Sequence, residues 1–113
     1  MKVIIAGSRD FNDYKYLCET MKKLDFSVSE VVSGGARGAD LLGERWAEEN
    51  GIPIKRFDAE WDEYGKVAGF IRNAEMGHYA DYLVAFWDGT SPGIADMIRR
   101  MRMKRKHGTV MIF

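Results

Sequence analysis

The sequence predicts an α/β domain built in three layers, a five-stranded parallel sheet with helices on both faces. Three observations lead there. Short apolar runs alternate with longer segments whose apolar residues recur at helical spacing. The runs themselves are nearly continuous in apolar residues, as strands buried on both faces must be. Glycine-bearing loops follow the first, second and fourth runs, and a parallel sheet gathers such loops at one rim.

The elements follow in order. Lys2-Val3-Ile4-Ile5-Ala6 reads as a buried strand ending at Gly7. Tyr14, Leu17, Cys18, Met21 and Leu24 then mark a helix, with Asn12 or Asp13 as its cap. A second strand around Val28 to Val32 runs into Ser33-Gly34-Gly35. The next helix carries Ala39, Leu42, Trp46 and Ala47 on one side and stops at Asn50-Gly51. Pro53 to Phe57 reads as a third strand, and Asp58 to Gly65 as an irregular acidic stretch. Val67, Phe70, Ile71 and Ala74 suggest the apolar stripe of a third helix. Asp81 to Trp87 is the clearest buried strand, broken by Asp88 to Gly93. Ile94, Met97, Ile98 and Met101 mark a last helix, and Thr109 to Phe113 closes as a strand. Right-handed crossovers distribute these helices over both faces, which makes the arrangement Rossmann-like.

At 113 residues the chain is one domain, spanning 1–113. Seventeen basic residues balance seventeen acidic ones, so net charge does not draw the molecule toward nucleic acid or anionic lipid. A lone cysteine, Cys18, excludes an intrachain disulfide and reads as packing. The apolar runs are too short to span a bilayer, and no signal-peptide pattern opens the chain; a cytoplasmic address with no membrane partner is the expectation. No metal-ligand spacing appears, no cofactor is called for, and His78 reads as a partly buried structural residue. Arg99, Arg102 and Lys106 fall at helical spacing opposite the last apolar stripe, a basic face that suits either solvent or a phosphate backbone.

Three loops carry the candidate chemistry. Ser33, Gly34, Gly35, Arg37, Gly38 and Asp40 lie between a strand and a helix, where glycines admit close approach and the helix start attracts an anion. The motif is neither the dinucleotide fingerprint nor a Walker loop. Gly7, Ser8 and Arg9 follow the first strand, and Arg9 suits a bidentate phosphate or carboxylate. Asp88, Gly89, Ser91 and Gly93 follow the fourth strand. They match the G-x-S-x-G elbow formally, but a phosphate or ribose cradle fits a chain this short better. Arg72 and Asn73 sit on the helix before the fourth strand.

Gly7 to Phe11, Ser33 to Asp40, Ala59-Glu60-Trp61, Ala68-Gly69 with Arg72-Asn73 and Met76, and Trp87 to Ser91 together resemble the small YspA-type members of the SLOG superfamily. More distantly the chain resembles the Lonely-guy phosphoribohydrolases. Their Arg-Lys-x-x-Met is similar to Arg72 to Met76, and their Pro-Gly-Gly-x-Gly-Thr-x-x-Glu is similar to Asp88 to Met97. The family's threonine is here Ile94 and its glutamate Met97, and a thioether is no acid or base. Asp96, one position away, is turned about 100° round a helix.

The resemblance implies a nucleotide-derived ligand, related to ADP-ribose or to a cyclic nucleotide signal, that is sensed or sequestered. The alternative is an enzyme cleaving an N-glycosidic bond with Asp40, Glu44, Asp88 or Asp96 as its carboxylate. Single-stranded nucleic-acid binding comes third. Phe11, Trp61 and Trp87 each read either as base-stacking rings or as core. A homo-oligomer that completes the pocket from a second subunit is compatible with so small a domain.

Overall fold

The structure is a computed structural model describing residues 1–113. Five strands, β1 (Lys2–Gly7), β2 (Glu30–Ser33), β3 (Ile54–Arg56), β4 (Tyr82–Trp87) and β5 (His107–Ile112), alternate with helices. These are α1 (Tyr14–Lys22), α2 (Ala39–Glu49), a four-residue α3 (Trp61–Tyr64), α4 (Ala68–Tyr79) and α5 (Pro92–Met103), with a 3-10 turn at Gly65–Val67. The sheet is parallel throughout, in the order β3-β2-β1-β4-β5. The chain winds outward from β1 through β2 to β3, then returns past β1 to build β4 and β5. The order therefore reverses between β1 and β4.

Alternation along the central strands divides the interior in two. Val3, Ile5, Val31, Val84 and Phe86 face α1 and α2 and pack with Leu17, Met21 and Ala47. Ile4, Ala6, Val32, Leu83 and Ala85 face α4 and α5 and pack with Met76, Met97 and Met101. Each central strand thus buries both sets of side chains, the reason its sequence shows no polar alternation.

Local signals account for most boundaries. The Asp13 carboxylate accepts from the Tyr16 N–H and starts α1. Asn50 caps α2, and Gly51 leaves it at φ +66°. Pro92 occupies the first turn of α5, where a missing N–H costs nothing.

Several sequence expectations need correction. Strand β2 begins at Glu30 rather than Val28, and β3 keeps only Ile54–Arg56 of the expected run. The acidic stretch contains the short helix α3. The stripe expected of α4 is wrong: Val67 and Phe70 are exposed, and the buried residues are Ala68, Asn73, Met76 and Gly77. Small residues let α4 lie close to α5, since a Cβ at Gly77 would stand 3.2 Å from the Met97 methyl. His78 is exposed, not partly buried. The basic face is also broken up, because α5 ends at Met103 and Lys106 leaves the helix. The Lys106 ammonium instead donates to the carbonyls of Gly77, His78 and Ala80, capping the end of α4. No helix is long and apolar enough to cross a membrane.

Candidate functional site

A cleft of about 440 Å³ opens on the carboxyl rim between β1 and β4, where the strand order reverses. Ser8–Asp10 and Ala36–Arg37 form two of its walls and Ser91–Ile94 the third. Helix α4 contributes Arg72, Asn73 and Met76, and Met97 from α5 helps to floor it.

Two glycines bring the walls together. A Cβ at Gly7 would lie 2.3 Å from the Phe86 carbonyl oxygen and 2.7 Å from the Ala39 Cβ. At Gly38, where φ is +85°, it would lie 2.5 Å from the Ser8 carbonyl oxygen. These glycines serve contact between loops. Gly34 serves a different purpose, because its missing side chain leaves room for Arg72 Nη1 and Asp40 Oδ2, 2.6 and 2.8 Å from where a Cβ would stand.

Hydrogen bonds fix the rest. Ser33 Oγ is buried; it donates to Glu44 Oε2 at 2.6 Å and accepts from the Gly35 N–H. Arg56 braces the same loop from outside, contacting Glu44 at 3.2 Å and the Gly35 carbonyl at 3.3 Å. Arg72 donates to the Gly34 carbonyl at 2.7 Å and to Asn73 Oδ1 at 3.2 Å. Asn73 in turn donates to the Gly93 carbonyl and to Asp96 Oδ2. One continuous chain of bonds therefore runs from the β2–α2 loop across α4 to α5. On the β4 side, Asp88 accepts from the Thr90 and Ser91 N–H groups and from Ser91 Oγ. Those bonds hold its carboxyl well below the usual range. Ser8 Oγ accepts from the Asp88 N–H and lies 3.2 Å from Ser91 Oγ, so two hydroxyls stand side by side at the cleft.

The charge balance at the cleft is uneven. Arg9 and Arg37 are exposed, line the cleft, and make neither ion pair nor side-chain hydrogen bond. Arg72 forms no ion pair either, its bonds going to a carbonyl and an amide. Opposing these three cations are Asp10 and Asp40. Burial pushes the Asp40 carboxyl up to about 6, although the Ala36 N–H, Arg72 and the Gly7 N–H favour its charged form. No side chain caps α2 or α5 at the N-terminus, and Asp40 in the first turn of α2 and Ser91–Ile94 at the start of α5 line the cleft.

Of the residues singled out in the sequence, Gly7, Ser8, Arg9, Arg37, Asp40, Arg72, Asn73, Ser91 and Gly93 line this cleft. Gly34 and Gly35 border a second concavity beside it. Ser33, Gly38, Asp88 and Gly89 do not line it; they shape the loops. Asp96 does not line it either, its carboxylate lying 2.7 Å from Arg99 and 2.8 Å from Arg100. Burial opposes its charge, but the bonds from Arg100, Asn73 and Arg99 outweigh that and hold the carboxyl low. Phe11 belongs to the core, stacked on Phe86 at 4.6 Å. Trp87 is half-buried and donates to the Ser91 carbonyl, while Trp61 is exposed. Sequence reasoning missed the Glu44–Arg56 brace and the methionine floor; neither has a local pattern to find.

The family described as "YspA, cpYpsA-related SLOG family" matches residues 1–64. The chain is similar to "Gene 61 protein" of Mycobacterium phage D29, 35% identical over 108 residues, covering 87% of this chain and 86% of that protein. No solved structure matches significantly. The chain belongs to the YspA, cpYpsA-related SLOG family.

Proposed function

We propose that the cleft binds a nucleotide or nucleotide-derived ligand by its phosphate and that the chain senses or sequesters it. One observation carries this reading: three arginines without carboxylate partners meet two uncapped helix starts in a cleft at the switch point. Arginine guanidinium groups and backbone N–H groups together match a phosphate with several acceptor oxygens. Family membership supports a nucleotide-related role. The experiment is a thermal-shift screen over nucleotides and NAD-derived compounds, where ligand at one hundred times Kd adds about 2.7 kcal/mol. Arg37→Ala is expected to weaken the best binder by about 1.5–3 kcal/mol while leaving the unliganded Tm unchanged. Unaltered affinity in that variant refutes the anion site.

A second reading, cleavage of the ligand's N-glycosidic bond, is favoured by Asp40 alone. Glu44, Asp88 and Asp96 are all engaged outside the cleft lining. Asp40 lines the cleft with its carboxyl raised to about 6, near where a general acid works best. Free base released by the parent but not by Asp40→Asn supports this second reading.

A further inference from the structure

The cleft does not end at Arg37 and Arg72. A second concavity, of about 480 Å³, continues over the Gly34–Ala36 backbone to Trp61, and Arg9, Ala36, Arg37 and Arg72 line both. Trp61 is the first residue of α3 and 51% exposed, outside both cores. Its ring crosses α4 at Gly69, with Cη2 3.4 Å from where a Cβ would stand there, and Arg72 Nη2 lies 3.9 Å from the same point. Both groups thus reach the same turn of α4, over the small Gly69.

The two lobes differ in chemistry. The first holds the helix starts, whose backbone N–H groups suit phosphate oxygens. The second holds an exposed aromatic face and a backbone floor, which suit a flat heterocycle. The arginines shared between them lie where the ligand's charge must pass. Of the three aromatic residues able to stack on a base by type, Phe11 is consumed by the core and Trp87 is tied to the Ser91 carbonyl. Trp61 alone presents its ring to the cleft system.

We propose that the second lobe is a base-binding subsite in which the Trp61 indole stacks on the nucleobase of a ligand whose phosphate lies in the first. This rests on the nucleotide reading of the first lobe, and it adds that the base is held by stacking. Stacking tolerates any planar base, so the subsite recognises a class rather than one nucleotide.

The test compares Trp61→Ala, Trp61→Phe and Arg37→Ala by calorimetric titration with AMP, GMP, CMP, UMP and ribose 5-phosphate. Trp61→Ala is expected to weaken the tightest nucleoside monophosphate about tenfold, or about 1.4 kcal/mol, and to leave ribose 5-phosphate unaffected. Trp61→Phe retains most of the affinity. Equal weakening of nucleotide and ribose 5-phosphate, or no weakening of either, overturns the subsite. If Arg37→Ala still weakens the nucleotide in that case, the phosphate site stands and the subsite alone is wrong. If none of the nucleotides binds the parent chain, both readings fall together.

Discussion

Asp40→Asn tests the electrostatics of the cleft wall directly. The carboxyl is 5% exposed, and burial raises it from an ordinary 3.8 to about 6. Between those two pH values the folded chain keeps a proton that the unfolded chain has already released. Folding therefore takes up a proton there, and the stability of the parent falls as pH rises through the window, then levels off above it. The rise from 3.8 to about 6, at about 1.36 kcal/mol per pH unit, amounts to about 3 kcal/mol lost by pH 7. Asparagine has the same shape and does not titrate. Its amide has one acceptor oxygen where the carboxylate has two for the Ala36 and Gly7 N–H groups, which adds an offset independent of pH. The readout is therefore the difference between parent and variant, measured by urea unfolding at steps from pH 4 to pH 8, and not either curve alone. Carboxyls held low, such as Asp88 and Asp96, push stability the opposite way but cancel in that difference. The difference is expected to move by about 2–3 kcal/mol in favour of the variant between pH 4 and pH 7. A flat difference across that range refutes a proton held by Asp40.

Other perturbations probe the scaffold. Gly7→Ala drives a methyl into the Phe86 carbonyl and the Ala39 side chain, and is expected to cost about 3 kcal/mol or more in urea unfolding. Lys106→Met strips three carbonyls of their cation, and a loss of about 2 kcal/mol lowers Tm by roughly 8 °C; an unchanged Tm dismisses the cap. With Lys106 occupied and Arg99 paired to Asp96, single-stranded DNA is expected to bind weakly and to be released by physiological salt. Length-dependent binding that survives that salt, measured by fluorescence anisotropy, contradicts it.

The central strands were legible because burial on both faces leaves a continuous apolar run, as in Val3 to Ala6 and Leu83 to Phe86. Their order was legible only as far as the crossover rule reaches. Helix α4 was misread because Met76 is the one large apolar residue on its buried side, the rest being the small Ala68 and Gly77 and the polar Asn73, while Val67 and Phe70 remain outside. The sequence marked these glycines for close approach but not what they approach: Gly7 and Gly38 accommodate neighbouring backbone and side chain. Lys106 misled in another way. Helical spacing placed it on α5, but the helix stops early, with Arg105 at φ +56° turning the chain. Contacts between residues far apart in sequence, such as Arg72 with Gly34 and Arg56 with Glu44, leave no local trace at all.

The cleft floor carries a consequence of its own. Met76 and Met97 are both 1% exposed, yet they lie against the cavity, so two unbranched thioether chains join Ala6 and Ile94 in its apolar lining. Such chains change shape through several torsions at little cost, and sulfur is polarisable. The Ser8 and Ser91 hydroxyls above them are held by hydrogen bonds to Asp88 and lie against each other, on loops that glycine contacts lock together. In the proposed binding role, discrimination between ligands belongs to the rim, while the bed beneath yields. A chain built this way can exchange one sugar-phosphate shape for another by changing a few rim residues, with its sheet and its packing left alone.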